Sequence, residues 1–236
     1  EIKNRLTPIQ LSAERLQRKY LKQITAEPDI FTQCTDTIIR QVGDIGRMVD
    51  EFSAFARMPA AEMKTENLCQ IVRQAIFAEE FAHKDISYQV ECPEDTIFVR
   101  CDAGHMSRLL TNLLQNAEEA IEGRLSADDG AHKPGVIAVA VWGDEHGVTL
   151  TIRDNGIGLP ADGRERLTEP YVTNREKGTG LGLAIVKKIM EERGGRMYLD
   201  DAPDGGAEIR LSFPPLNDDV QNNDEDVKMS GIDYGA

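Results

Sequence analysis

The sequence lacks an apolar run long enough to cross a membrane. A membrane-spanning helix needs about 18 or more consecutive apolar residues, and none of the 236 residues lies in such a run. Nothing near the start resembles a signal peptide. We therefore expect a soluble piece, which sensor and membrane segments of a longer protein could precede.

Cysteine is scarce, and basic residues are outnumbered. The cysteines form no Cys-x-x-Cys pair and have no metal-ligand spacing with histidine, so we expect neither zinc nor a disulfide. The chain has 27 Lys and Arg against 41 Asp and Glu, for a net charge of -14. A duplex-binding surface needs concentrated positive charge, so binding to nucleic acid is not expected.

Two glycine-rich motifs are present. Residues 154–158 have the sequence DNGIG, and residues 178–183 have the sequence GTGLGL. An acidic residue before one glycine turn, and a second glycine turn that opens a helix, are typical of a nucleotide pocket with a base end and a phosphate end. Asp154 can accept a hydrogen bond from the exocyclic amine of adenine, which guanine cannot offer at that edge. ATP is therefore the expected ligand.

A third motif lies upstream. Residues 108–117 have the sequence RLLTNLLQNA, in which Asn112 and Asn116 are four residues apart on one face of a predicted helix. Amide oxygens are neutral, hard ligands suited to Mg²⁺, which is usually shared with substrate phosphates. The alternative, two solvated asparagines on an amphipathic helix, is disfavoured because both glycine motifs follow in order.

The first 60 residues have heptad-like apolar stripes, which predict two helices joined near residues 26–30, where Pro28 supplies the turn. A short connection makes the helices antiparallel neighbours. A single hairpin buries too little apolar surface to be stable, so we expect a homodimer with a four-helix bundle. The stripes are Ile2, Leu6, Ile9, Ala13, Leu16, Tyr20 and then Phe31, Thr35, Ile38, Val42, Ile45, Val49, Phe52, Ala56.

The rest of the chain mixes helix and strand patterns after a proline-containing linker at residues 58–66. The predicted class is α+β, with helices on one face of a mixed sheet. Predicted domains are a helical hairpin at 1–60, a catalytic domain at 61–216 and an acidic, disordered tail at 217–236. Predicted helices cover 67–82, the asparagine motif and 181–193, a loop covers 125–134, and predicted strands cover 86–91, 96–100, 136–142, 148–154, 195–199 and 207–213.

The order of these motifs resembles that of the histidine kinases of two-component signalling. Residues 112–116 resemble the N box, 154–158 the G1 box, 178–183 the G2 box and 205–207 the last glycine box. The resemblance implies an α/β sandwich ATP-binding domain of the type shared with gyrase, Hsp90 and MutL. Residues 1–16 resemble the H box of NtrY-type nitrogen-regulation sensor kinases, starting one residue after the expected phospho-accepting histidine.

The resemblance also implies roles for individual residues. Glu1 would take the proton of the attacking imidazole, and Asn4 would orient a water that removes phosphate from the partner's aspartate. The alternative is that both are ordinary exposed residues near a helix start. Arg5 stands where the family usually has proline.

Further implied roles concern the nucleotide. Asn112 would serve in catalysis and nucleotide binding, and Asn116 would bind Mg²⁺. Residues 171–177 would form a mobile lid, with Lys177 preferred over Arg175 as the phosphate-binding cation. The other expected nucleotide contacts are Asp154, Gly156, Gly158, Tyr171, Gly178, Thr179, Gly180, Leu181 and Gly182.

The implied function is a kinase that phosphorylates a hairpin histidine from Mg-ATP, passes the group to an aspartate of a response regulator and also dephosphorylates that regulator. The piece would be the cytoplasmic part of an inner-membrane sensor. Two alternatives stay open: a nucleotide-gated scaffold or phosphatase without kinase activity, and an ATP hydrolase. In the related hydrolases this helix has the pattern Glu-x-x-x-Asn, in which the Glu activates water. Asn112 stands at the position of that Glu and cannot act as a general base, which favours transfer to protein.

Overall fold

A computed structural model describes residues 2–56, 59–94, 96–127, 133–173, 178–203 and 205–216. Contacts group these residues into two units, one within 1–60 and 165–185 and the other within 61–164 and 186–236. None of the helices in the described ranges has the length and apolarity to cross a membrane. The limits 1–60 and 61–216 stay a prediction for the domains.

The first unit contains the predicted helical hairpin. Helix α1 covers Ile2–Tyr20, a short 3-10 helix covers Leu21–Gln23, and helix α2 covers Pro28–Ala56. Glu27 has a φ of 52° and turns the chain, and its carbonyl accepts hydrogen bonds from the N–H groups of Ile30 and Phe31. Proline is well suited to begin α2 because its fixed φ is helical and the first helical N–H has no intrahelical acceptor.

The hairpin buries only part of its apolar stripes. Ala13, Thr35 and Val42 are buried, and α1 packs against α2. The Thr35 hydroxyl donates to the carbonyls of its own helix, which satisfies it in the interior. A second set of stripe positions is exposed in the single chain, namely Ile9, Leu16, Ile38, Ile45 and Phe52.

The second unit is a mixed sheet with helices. Its helices are α3 (Leu68–Ala82) and α4 (Ala103–Ala127), and its strands are β1 (Lys64–Asn67), β2 (Ile86–Glu91), β3 (Phe98–Cys101), β4 (Gly135–Asp144), β5 (Gly147–Asp154), β6 (Arg196–Asp201) and β7 (Ala207–Phe213). The order of the five-stranded sheet is β2-β4-β5-β7-β6, and β1 pairs with β3 separately. Strands β2 and β4 are parallel, and the other pairs are antiparallel. Helix α5 (Gly182–Glu191) begins in the first group of residues and ends in the second.

The core of the second unit lies between α4 and the central strands. Helix α4 contacts β4 and β5, and alternate residues of both strands point to the buried side, as the two-residue period of a strand requires. The expected α+β class is confirmed. The largest buried side chains of this core include Met106, Leu109, Leu110, Leu113, Leu114, Ile121, Ile137 and Leu150.

Two predicted segments differ in the structure. The linker predicted at 58–66 contains the start of β1, which pairs in register with β3. A four-residue strand that pairs with distant residues leaves too little periodicity for recognition. The loop predicted at 125–134 begins later because α4 continues to Ala127, and the tail predicted at 217–236 lies outside the described residues.

Candidate functional site

Asp154 ends β5 as a buried carboxylate, with 7% of its surface exposed. Its Oδ1 accepts hydrogen bonds from the backbone N–H of Gly156 at 2.8 Å and of Ala207 at 3.3 Å. Two backbone donors fix the orientation of the side chain. A buried, oriented carboxylate is a strong acceptor for an amine of a ligand.

The loop before β7 packs directly on the backbone of Asp154. Gly206 has a φ of +87°, and a Cβ placed there would lie 2.1 Å from the Asp154 carbonyl oxygen. The carbonyl of Gly206 also approaches Gly158, whose own Cβ would lie 3.2 Å from it. The last glycine box and the G1 box are therefore in contact through positions that only glycine fits without strain.

The G1 loop also contacts helix α4. A Cβ at Gly156 would lie 2.5 Å from the carbonyl carbon of Ala120, and the N–H of Ile157 donates to the Ala120 carbonyl at 3.1 Å. Ala120 is one helical turn after Asn116. The second unit thus places Asp154, the G1 loop and the asparagine helix next to one another, as the sequence predicts.

Asn155 joins this loop to the start of β4. Its Oδ1 accepts from the N–H of Val136 at 2.9 Å, and its Nδ2 donates to the carbonyl of Pro134 at 2.9 Å. Asn155 is not among the site residues predicted from the sequence. An asparagine in a turn commonly bonds to nearby backbone groups. The partners of Asn155 are distant in sequence, so the sequence does not show which groups they are.

Asn112 and Asn116 both lie on α4 and are half-buried. The Nδ2 of Asn112 donates to the carbonyl of Arg108 at 2.8 Å. This bond uses one of the two N–H groups of the amide, which leaves Asn112 a second donor and an oxygen acceptor for a ligand. The carboxamide chemistry and the position next to the G1 loop fit Mg²⁺.

Asp102 fixes the start of α4 and is not among the residues predicted from the sequence. Its Oδ1 accepts from the N–H of His105 at 2.9 Å, and its Oδ2 accepts from the N–H of Glu62 at 2.9 Å. The hydrogen bond from His105, together with that from Glu62, holds the pKa of the Asp102 carboxyl below its usual value. An Asp before a helix is a cap signal, but the start of α4 was not placed closely enough to use it.

The first unit contains the glycine-rich turn at the start of α5. The N–H of Tyr171 donates to the carbonyl of Gly180 at 3.0 Å, and a Cβ at Gly180, where φ is +69°, would lie 2.7 Å from the Tyr171 carbonyl carbon. This contact brings together the two sides of the predicted lid. Gly178 and Thr179 are half-buried, and Leu181 is fully buried and begins the hydrogen bonding of α5 through Ile185.

Tyr171 has an unusual conformation in the same unit. Its φ is 67°, which is rare for a residue other than glycine, and its ring centroid lies 6.3 Å from that of Phe52 on α2. Tyr171 as a whole is 54% exposed. A side chain so placed is accessible, and the strained backbone is retained by the Gly180 contact.

Four of the expected site residues have no side-chain geometry in the described ranges. Glu1, Arg175 and Lys177 lie outside these ranges, and the structure gives only the position of Asn4 in the first turn of α1. Their roles stay predictions, as does the lid.

Comparison with known proteins places these features in a family. Residues 101–217 match the family model described as Histidine kinase-, DNA gyrase B-, and HSP90-like ATPase. Nitrogen regulation protein NtrY of Azorhizobium caulinodans is 51% identical over 231 residues, which cover 98% of this chain and 29% of that protein. The putative sensor histidine kinase NtrY-like of Rickettsia felis is 37% identical over 231 residues, covering 98% of this chain and 36% of that protein.

A solved structure agrees in fold. Full-length ShkA in complex with AMPPNP superposes with a TM-score of 0.61 at 23% identity, covering 92% of this chain and 44% of that chain. The chain spans about a third of the length of the two curated relatives from Azorhizobium and Rickettsia. The predicted kinship with NtrY-type sensor kinases is confirmed.

Proposed function

We propose that this chain, which belongs to the sensor histidine kinases of the NtrY type, binds Mg-ATP, phosphorylates a histidine on the helical hairpin and passes the phosphoryl group to an aspartate of a response regulator. The observation that carries the proposal is the buried Asp154 carboxylate, which two backbone N–H groups hold beside the G1 loop and the last glycine box.

The second unit contains the base end of the proposed site. Asp154 accepts from the exocyclic amine of adenine, and the absence of side chains at Gly156 and Gly158 allows the backbone to approach the base. The contacts of Gly156 with Ala120 and of Gly158 with Gly206 hold this end rigid. A rigid acceptor needs no rearrangement when the nucleotide binds.

Asn112 and Asn116 are the proposed ligands on the metal side. Asn116 would bind Mg²⁺ through its amide oxygen, and Asn112 would donate its second amide N–H to the nucleotide phosphates beside it. When bound, the ion supplies positive charge for the phosphates. The chain supplies the neutral oxygens, which leave that charge undiminished.

The glycine-rich turn provides the proposed phosphate end. Helix α5 is long enough to have an N-terminal dipole, and Gly178, Thr179 and Gly180 precede it. Backbone N–H groups at such a turn favour anions. Tyr171, Leu181 and Gly182 complete the proposed nucleotide contacts, and Arg175 and Lys177 supply cations in an otherwise acidic domain.

The proposed reaction is a phosphoryl transfer to nitrogen. An imidazole nitrogen of the histidine before Glu1 attacks the γ-phosphorus, the bond to the ADP oxygen breaks, and the imidazole proton passes to Glu1. The same group then moves to the aspartate of the regulator. Asn4 would orient the water that later hydrolyses that aspartyl phosphate.

The exposed face of the hairpin supports a homodimer. In α2, Thr35 and Val42 are buried on the side of α1. The residues three positions after each of them, Ile38 and Ile45, are 44% and 43% exposed. Ile9 and Leu16 are exposed on α1 in the same heptad spacing. A second copy would bury these rows and complete a four-helix bundle.

Asn112 separates the kinase from the hydrolase alternative. A hydrolase of this fold needs a general base at the position of Asn112, and a carboxamide has no basic site at neutral pH. The phospho-accepting histidine distinguishes the kinase from the scaffold or phosphatase alternative. A chain without histidine before Glu1 could bind nucleotide and still not become phosphorylated. The kinship with NtrY-type sensor kinases also suggests a parent sensor in the inner membrane, with this piece on the cytoplasmic side.

The experiment adds a histidine directly before Glu1 and incubates the chain with γ-labelled ATP and Mg²⁺. We expect label on the protein that is lost in acid and retained in base, as phosphohistidine requires, and that is transferred to a receiver domain. A matched chain with glutamine at the added position should take up no label. ATP turnover without protein label would favour the hydrolase, and nucleotide binding without either would favour the scaffold.

A further inference from the structure

Four titratable side chains meet in the second unit, away from the proposed nucleotide site. Glu79 and His83 lie one turn apart at the end of α3, and the N–H of His83 donates to the Glu79 carbonyl at 2.9 Å. Glu118 projects from α4, and Tyr88 from β2. The cluster therefore joins two helices and the edge strand of the sheet.

The ligand atoms of this cluster converge. One atom from each of Glu79, His83 and Glu118 lies within 4.8 Å of the other two. The Nε2 of His83 is 3.4 Å from the Oε2 of Glu118, and the Tyr88 hydroxyl donates to the Oε1 of Glu118 at 2.7 Å. The Glu118 side chain is only 4% exposed, so both of its oxygens are directed at protein groups.

The charges around Glu118 do not balance. Glu79 and Glu122 lie close enough to repel its carboxylate, and His83 attracts it. Among the described residues, no lysine or arginine pairs with Glu118. A buried carboxylate is costly unless it is paired, and one imidazole offers at most one positive charge to several carboxylates.

We propose that Glu79, His83 and Glu118 bind a divalent transition-metal ion, for which Zn²⁺ is the best fit. One imidazole and two carboxylates are Zn²⁺ ligands, whereas Mg²⁺ prefers oxygen ligands only. Ligands at 2.0–2.2 Å from a tetrahedral ion lie about 3.4 Å from each other, which matches the separation of His83 and Glu118. The ligand atom of Glu79 lies within 4.8 Å of the other two, so a side-chain rotation would complete the set, with water in the fourth position.

Tyr88 supports this geometry from behind the ligands. Its hydroxyl holds the Oε1 of Glu118, so the Oε2 is directed toward His83. Groups that orient a ligand in this way contribute substantially to metal affinity. Cysteine and histidine spacing could not predict the site, because its ligands come from two helices and include no cysteine.

The metal would connect the end of α3 to α4 two residues after Asn116. It would stabilise the helix that carries both asparagines without touching nucleotide. This inference does not depend on the proposed kinase activity.

The test titrates this chain, without a tag, with Zn²⁺ by calorimetry, in nucleotide-free buffer and with Cys34→Ser to remove an exposed thiol. We expect one ion per chain, and an absorption spectrum of tetrahedral coordination when Co²⁺ replaces Zn²⁺. His83→Gln should lower the affinity at least about tenfold. His146→Gln is the matched control, because His146 pairs with Glu145 at 3.6 Å on the surface with 83% of its side chain exposed, and it should leave the affinity unchanged.

A second measurement separates lost binding from lost folding. Glu79→Gln changes a half-buried ligand and should weaken Zn²⁺ binding while the melting temperature without metal stays the same. Zn²⁺ at about a hundred times its Kd should raise the melting temperature of the parent chain by roughly 5–10 °C, and of this variant by much less. Absence of saturable binding, or binding by the His83 and Glu79 variants as tight as that of the parent chain, would overturn the proposal.

Discussion

The carboxylate of Asp154 is held in place by the backbone of the proposed nucleotide site. Two backbone donors hold one of its oxygens, and the loop of Gly206 closes over its carbonyl. Such a residue does not reorient when a ligand arrives. Its chemistry can therefore be tested by a substitution that keeps its shape.

Asp154→Asn should weaken ATP binding about tenfold to a hundredfold, because a charge-assisted hydrogen bond worth roughly 1.5–3 kcal/mol is lost. The new amide oxygen can still accept from Gly156 and Ala207, so the fold should persist. Calorimetry with ATP measures the affinity, and circular dichroism checks the fold. An unchanged Kd would refute the role of Asp154.

Gly205 and Gly206 offer a matched pair. Both have positive φ, at +90° and +87°, but a Cβ at Gly205 meets nothing within 4 Å, whereas one at Gly206 would lie 2.1 Å from the Asp154 carbonyl oxygen. Gly205→Ala should cost about 1–2 kcal/mol of unfolding free energy from backbone strain alone. Gly206→Ala should cost at least about 2 kcal/mol more, from the added clash.

Urea unfolding of the two glycine variants measures this difference directly. Equal losses would mean that the loop moves away from Asp154 at little cost. In that case the close approach would not hold the base end rigid.

At the scale of single residues, the sequence indicates which side chains could bind a ligand, but not which backbone groups hold the site together. Asp154 and the glycines of both motifs have types and spacings that point to a nucleotide. Asn155 and Asp102 act through backbone partners, and only the fold shows which backbone groups these are. A cap or a loop clamp is visible in sequence only when the ends of its helix or strand are already known.

At the scale of elements, we expect the contribution of the start of α4 to stability to depend on pH. The folded pKa of Asp102 is below its unfolded value, which is about 3.9. The charge of Asp102 therefore contributes stability above that unfolded pKa, and the contribution is lost as pH falls through the folded pKa.

Asp102→Ala should cost about 1–2 kcal/mol at pH 7, as loss of a helix cap does. Asp102→Asn keeps an acceptor and should cost less, and its difference from the parent chain should shrink as pH falls below about 4. Urea unfolding from pH 7 to pH 3 measures both. The control is Asp162→Asn, at an exposed position with no hydrogen bond within the described ranges. A difference between Asp102→Asn and the parent chain that does not change with pH would contradict the role of the Asp102 charge.

Helices and long strands were predicted well because their periodicity is local. The helices α1 to α5 and the strands β2 to β7 fall where apolar positions repeat every two or about 3.6 residues. Strand β1 was missed because it is defined by pairing with β3, more than 30 residues away in sequence. Pairing of this kind has no local signal.

At the scale of the whole molecule, the hairpin exposes a continuous apolar face. Ile38→Glu should weaken dimerisation at least about a hundredfold, since two isoleucines at roughly 1.5–3 kcal/mol each would leave the interface and two carboxylates would enter it. Sedimentation equilibrium measures the dimer constant.

The matched control for the dimer is Arg40→Gln. Arg40 is exposed, lies on the opposite side of α2 from Ile38, and the change alters the net charge by the same amount. It should leave the dimer constant unchanged. If Ile38→Glu behaves like this control, the exposed face does not join two chains.

The order of motifs along the chain revealed the family, but not the grouping of residues in space. Residues 165–185 belong with the hairpin by their contacts, although in sequence they lie inside the predicted catalytic domain. The contact of Tyr171 with Phe52 is one of these contacts. It joins residues more than 100 positions apart, and no pattern along the chain indicates it.

The hairpin has one apolar row that is buried within the chain and another that is exposed. This difference affects how such proteins can vary in sequence. In a symmetric bundle each exposed-row residue meets the interface once from each chain, so one codon change alters the assembly at two places. A change in the row buried within a chain does not alter the contact between subunits in this way. Partner choice among paralogues is therefore expected to diverge first at Ile9, Leu16, Ile38 and Ile45.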